Sequence, residues 1–154
     1  MRLMKNIVLL VAMLVPVVSF AQGQKKIEDP AHWTYEAKKV NGDEYELTFK
    51  LKLDDGWHIW SLNPGGDGYE IVPSFSFDRG VTTKSKLAEV GYAKTVLMEG
   101  VDNKVTYLSG NVLYQQVVAV KGKTVVTGEH EYQVCNDNLC LPPKKVKFEV
   151  VLGN

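Results

Sequence analysis

The chain has 154 residues, 18 Lys and Arg against 18 Asp and Glu, 45% hydrophobic and 23% charged residues, and two cysteines. That balance belongs to a folded globular protein and excludes a disordered, collagen-like or coiled-coil chain. With no Lys/Arg cluster there is no electrostatic footprint for a phosphate backbone or an anionic bilayer, which argues against nucleic acid and membrane surfaces as partners.

The N-terminus reads as a secretory signal peptide. Met1 to Lys5 is short and basic, Ile7 to Val15 is an unbroken apolar run, and Ser19-Phe20-Ala21 places small residues where a cut before Gln22 needs them. Ile7 to Ala21 is 15 residues, whereas a spanning helix needs about 20. Removal of residues 1–21 takes Arg2 and Lys5 and leaves 133 residues with 16 basic and 18 acidic groups. The expectation is one secreted domain, residues 22–154, with no membrane span after cleavage. In an oxidising compartment its two cysteines are expected to pair.

Gln22 to Ala31 is polar and contains Pro30, which suits a loose arm. From Trp33 the apolar period is two, and Asn41-Gly42 is hairpin-turn chemistry. Tyr45, Leu47, Phe49, Leu51 and Leu53 then alternate with Glu44, Glu46, Thr48, Lys50, Lys52 and Asp54, as a strand with one wet face requires. Asp54-Asp55-Gly56 turns the chain into a strand over Trp57 to Ser61, and Asn63 to Gly68 reads as a loop that ends it. Pro73 to Phe77 reads as an edge strand and Val112 to Val120 as a buried one. Val81 to Met98 has no clear period. A strand ends near Cys135, and Val146, Phe148 and Val150 alternate with Lys145, Lys147 and Glu149 in the last one. About seven short strands without a helical period predict an antiparallel immunoglobulin-like β-sandwich.

Cys135-Asn136-Asp137-Asn138-Leu139-Cys140-Leu141-Pro142-Pro143 carries the chemistry. Tyr132 and Val134 share the apolar parity, so Cys135 is expected on the opposite, wetter face of its strand and outside the core. Asn-Asp-Asn is turn chemistry that brings both sulfurs to the mouth of one hairpin. Asp137 is expected to cap that turn and to raise a neighbouring thiol pKa by its charge. Pro142-Pro143 lacks two backbone donors and interrupts the ladder beside Cys140. Closing so short a loop stabilises by only about 2 kcal/mol, which suits a redox pair, while hairpin staples are common in secreted domains. From spacing alone both readings stand. A zinc site would need His130, whose parity is opposite to that of Cys135, and the plausible ligands stop at three.

With the Pro pair and an alternating last strand, the cysteine segment resembles the signature of the N-terminal periplasmic domain of the DsbD thiol:disulfide interchange family. Asp55-Gly56-Trp57-His58-Ile59-Trp60-Ser61 resembles that family's second marker, and together the two span Trp33 to Leu152. The resemblance implies an immunoglobulin-like sandwich that relays reducing equivalents, with Cys140 forming the mixed disulfide and Cys135 resolving it. It also implies thioredoxin-fold periplasmic partners, of the disulfide isomerase or cytochrome c maturation type, and a protein-disulfide reductase chemistry that needs no cofactor. Three departures stand out. The best-known members place one residue more between their cysteines than the four here. Their cap loop pairs an acidic with an aromatic residue, whereas Met98 to Lys104 offers Glu99 but no aromatic before Tyr107. The chain ends without membrane or thioredoxin domains, so the electron donor is expected to be a separate, membrane-linked polypeptide.

The other conspicuous residues have plainer readings. Trp57 and Trp60 point to opposite strand faces and suit core or scaffold roles. His58 shares parity with Trp60 and reads as a hydrogen-bonded histidine, since the sequence sets no Ser or Cys nucleophile beside it. Asp67 and Glu70 read as loop solvation, and Gly65 to Gly68 lacks the Lys-Ser/Thr of a phosphate loop. The competing function is a non-enzymatic secreted binding module in which the Cys135–Cys140 bond is a staple.

Overall fold

The computed structural model describes residues 29–152 except Val101 and Lys123. The expected signal peptide, residues 1–21, lies outside the described residues. Ten strands follow in order: β1 (Ala31–Asn41), β2 (Glu44–Leu53), β3 (His58–Gly65), β4 (Ser74–Phe77), β5 (Val81–Thr83), β6 (Ala88–Val96), β7 (Val105–Val120), β8 (Val125–Tyr132), β9 (Val134–Cys135) and β10 (Lys144–Val151). All pairings are antiparallel. One sheet runs β1-β2-β7-β3-β9, with β5 and β6 on the far edge of β7, and the second runs β10-β8-β4.

The two sheets close on one core. Leu47, Phe49 and Leu51 of β2, Ile59 of β3 and Val112, Tyr114 and Val118 of β7 pack with Val126 and Tyr132 of β8 and Phe148 and Val150 of β10. These are the alternate residues of their strands, so the period read from β2 is the period that faces the partner sheet. This is an all-β, antiparallel immunoglobulin-like sandwich. Its interior is unusually aromatic: Phe49 touches Phe75 at 4.5 Å between ring centroids and Phe148 at 4.9 Å, contacts favoured beyond simple area burial.

The expected β1–β2 hairpin forms, with Trp33 opposite Leu51 and Tyr35 opposite Phe49. Three expectations need correction. The described residues make ten strands where about seven were expected: a short β5 and a nine-residue β6 lie in the stretch from Val81 to Met98 and dock on β7, and β9 stands apart from β8. Also, β3 does not stop at Ser61. It continues through Asn63-Pro64 to Gly65, with its ladder to β7 broken between Trp60 and Gly65. Pro64 sits in that break, where no ladder N–H is required. Finally, β8 does not run on to Cys135: the chain leaves the smaller sheet after Tyr132 and joins the larger one as β9.

Candidate functional site: the disulfide hairpin

Cys135 and Cys140 form a disulfide with their Cα atoms 4.0 Å apart, and the two residues also face each other as an isolated antiparallel bridge. The turn between them is tied by Asn136, not by Asp137 as expected. Asn136 Oδ1 accepts hydrogen bonds from the Asn138 and Leu139 amides at 2.9 and 3.0 Å, and the Asn136 amide donates to the Leu139 carbonyl. Position 136 is the first of the turn, which is where an Asx side chain reaches the amides two and three residues on. Below it, the Leu141 amide donates to the Val134 carbonyl and Gln133 Nε2 to the Leu141 carbonyl. The Pro pair keeps the residues between Cys140 and β10 out of any ladder.

The two sulfurs have unlike surroundings. Cys140 is exposed, and its neighbour Leu139 is 46% exposed. Cys135 is 2% exposed and packs with Trp60 and Val105 in a small cluster completed by Val96, Met98 and Tyr107. This overturns the expectation that Cys135 lies outside the core. The parity was right: Val134 faces the main core opposite Ile59, and Cys135 opposite His58 faces the other way. That outer face is dry because Met98 and Tyr107 cover it.

Cys135, Cys140, Asn136 and Asp137 share a cavity of about 320 Å³ with His58, Trp60, Met98 and Glu99. Met98 and Glu99 thus stand where the cap loop was sought, and the aromatic beside the pair comes from β7 as Tyr107. The segment is anchored from below by Asp67, whose carboxylate accepts from the Asp102 and Asn103 amides and from Asn103 Nδ2. Those bonds, led by the Asp102 amide, hold the Asp67 carboxyl below its usual value. Asp67 therefore does more than solvate a loop.

His58 belongs to the site; its place in the Gly-Trp-His marker was the one signal in the sequence, and the residue-by-residue reading passed over it. It is 5% exposed, stacks on Tyr107 at 4.2 Å and meets the edge of Trp60 at 5.4 Å. Its Nε2 is buried without a hydrogen-bond partner. Burial lowers its pKa, against a smaller upward pull from Asp137. The β3–β9 pairing puts a cysteine directly beside it, so the plain reading of a bonded histidine with no nucleophile nearby fails. Trp57 packs on the main core and Trp60 on the cysteine cluster, opposite faces as expected. His130, the only histidine considered for zinc, lies in the main core, bonded to the Tyr35 hydroxyl at 2.9 Å. Among the described residues no group of three His, Cys, Asp or Glu could hold a metal ion.

Residues 25–152 match the family described as thiol:disulfide interchange protein DsbD, N-terminal. The chain belongs to the DsbD N-terminal family. The N-terminal periplasmic domain of ScsB from Proteus mirabilis is similar in fold, with a TM-score of 0.58 at 12% identity over 78% of this chain and 44% of that one. The chain thus spans less than half the length of that ScsB structure. The reduced DsbD N-terminal domain of Neisseria meningitidis aligns with a TM-score of 0.44 at 15% identity, over 79% of this chain and 86% of that one. No curated protein sequence matches the chain. The DsbD N-terminal-like domain is therefore a member of a thiol-disulfide exchange family and carries a bonded cysteine pair. Among the described residues no helix is long and apolar enough to cross a membrane.

Proposed function

We propose that this DsbD N-terminal-like domain is exported by the signal peptide at residues 1–21 and relays reducing equivalents in the periplasm through Cys135 and Cys140. Its partners are thioredoxin-fold proteins, and a separate membrane-linked protein supplies the electrons. The observation that carries this reading is the asymmetry of the pair, one cysteine exposed beside an interrupted sheet edge and its partner 2% exposed. Exchange proceeds by in-line attack of a thiolate on one chosen sulfur. Only Cys140 offers that approach. A partner thiol attacks Cys140 Sγ, the bond to Cys135 breaks with its electron pair on Cys135 Sγ, and the mixed disulfide sits at Cys140. A second partner thiol then releases Cys140, so that one dithiol is oxidised and one disulfide reduced. Run backwards, Cys135 resolves the mixed disulfide formed when Cys140 attacks a recipient.

The test is the reduction potential of the pair, read by trapping free thiols after equilibration in graded dithiothreitol or glutathione buffers, together with Cys140→Ala. A potential between about −180 and −270 mV is that of exchangeable pairs, and Cys140→Ala is expected to abolish mixed-disulfide formation. A potential below about −300 mV, with exchange absent in the wild type, would make the bond a staple and the protein a binding module.

A further inference from the structure

We propose that His58 carries the proton between Cys135 and the partner sulfur during exchange, its Nε2 serving as base in one direction and acid in the other. The inference rests on the exchange reading above and deepens it.

The chemistry creates the need. Cys135 is 2% exposed, and a thiolate formed there has lost its water shell, which disfavours the charge and slows both its formation and its departure. A proton acceptor must sit on the same face. His58 is directly opposite Cys135 in the antiparallel β3–β9 pair, a placement that sets Cβ atoms about 5 Å apart with side chains on one side of the sheet. Both line the cavity that also holds Cys140. The His58 Nε2 is buried with no partner, a costly arrangement that calls for an explanation. Tyr107 stacks on the ring and fixes its plane.

The other charged and titratable groups that face His58 are Asp137 from the hairpin turn, Glu99 from the segment after β6, Tyr92 and Lys94 from β6, and Tyr107 from β7. The two carboxylates would hold a transient imidazolium. Burial keeps the resting ring neutral near pH 7, with its pKa below the ordinary value, and so in the form that accepts a proton.

The step balances. With a guest thiol held on Cys140, the Cys135 Sγ proton passes to His58 Nε2, a Cys135–Cys140 bond forms, and the Cys140–guest bond breaks. Its electron pair leaves on the guest sulfur, which takes the proton from His58. Reduction of the pair by a guest thiol is the same step reversed.

The test uses reduced full-length domain mixed with glutathione disulfide, quenched in acid and followed by mass. Wild type is expected to gain the glutathione adduct on Cys140 and lose it as Cys135 resolves. In His58→Phe, which keeps a ring for Tyr107 to stack on, decay of the adduct is expected to slow about 100-fold, the usual scale of a positioned proton-transfer group. The equilibrium potential should stay unchanged, because a proton carrier acts on rate alone. Wild-type decay should level off above the His58 pKa, whereas His58→Phe should climb about tenfold per pH unit until the buried Cys135 thiol itself ionises. Equal decay in wild type and variant would overturn the proposal. If His58→Phe does not fold, the wild-type profile decides, and a tenfold climb per unit without a plateau overturns it too. A wild type that forms no adduct would instead sink the exchange reading.

Discussion

Two histidines are buried in this small domain, and they are put to different uses. His130 is 1% exposed and His58 is 5% exposed. Both lose basicity by burial, His130 down to about 4 with help from the Lys144 charge. Each leaves one ring nitrogen without a partner, Nδ1 in His130 and Nε2 in His58, so an unpaired nitrogen does not by itself mark a working histidine. What faces it does. His130 lies between Phe75 and Tyr132, nearly parallel to both at 5.5 and 5.4 Å, with Trp33 at 4.4 Å and the Tyr35 hydroxyl on Nε2. Nothing there can react. His58 faces a disulfide and an open cavity.

Breaking the comparison at the core end should have the largest effect. His130→Ala empties the centre of the aromatic cluster and is expected to lower stability by about 4 kcal/mol in urea unfolding. Exchange per folded molecule should be unchanged, the mirror image of His58→Phe. Slowed exchange in the folded fraction of His130→Ala would mean that the two histidines are not separable.

Acid sharpens the same contrast. The folded-state pKa of His130 is about 4, against about 6.5 in an unfolded chain. Between those values the unfolded chain binds a proton that the folded one does not. The stabilising term is therefore complete above about pH 6.5 and shrinks as pH falls to about 4, by up to about 3 kcal/mol. His130→Phe removes the titration while keeping a ring in the cluster. Its urea midpoint should fall less steeply with acid than that of wild type, and parallel curves would refute the assignment. His58 contributes with the same sign.

The core half of this contrast was legible in the sequence, and much of the site half was not. Alternation in β2 and the Asn41-Gly42 turn are local signals, and both strands of that hairpin formed in register. The cysteine pair was equally plain from its turn residues and Pro142-Pro143. What escaped was set by contacts between distant segments. Cys135 has the parity read for it, but Met98, just past β6, and Tyr107 of β7 dry its face from segments distant in the chain. His58 meets Cys135 only through the β3–β9 pairing, which no local pattern announces. In β6 nearly every side chain is exposed, so its alternation is weak and the docking on β7 overrides it.

Removing the disulfide should matter less than emptying the core. Replacing both Cys135 and Cys140 with Ser frees a six-residue loop, an effect of about 2 kcal/mol, and the Asn136 turn bonds do not depend on sulfur. Urea unfolding of oxidised wild type against the double variant measures it. A loss as large as that of His130→Ala would put the bond among the main supports of the fold and weaken its redox role.

The smallest effect is expected at Asp67, where the cover of the site is tied down by polar bonds in the open. Its three acceptor contacts reach only Asp102 and Asn103, and no core residue depends on them. Asp67→Ala should shift the melting temperature by no more than about 3 °C, while hydrogen exchange at the Asp102 and Asn103 amides becomes fast. Below the folded-state pKa of Asp67 the wild type should come to resemble the variant, because a protonated carboxyl is a weaker acceptor for those amides. If the anchor steadies Met98 and Glu99 over the cysteines, alkylation of the reduced pair by iodoacetamide should also quicken slightly. Unchanged amide exchange would show that the 102–103 turn holds its shape without Asp67, leaving the packing of Met98 and Tyr107 as the cover over Cys135.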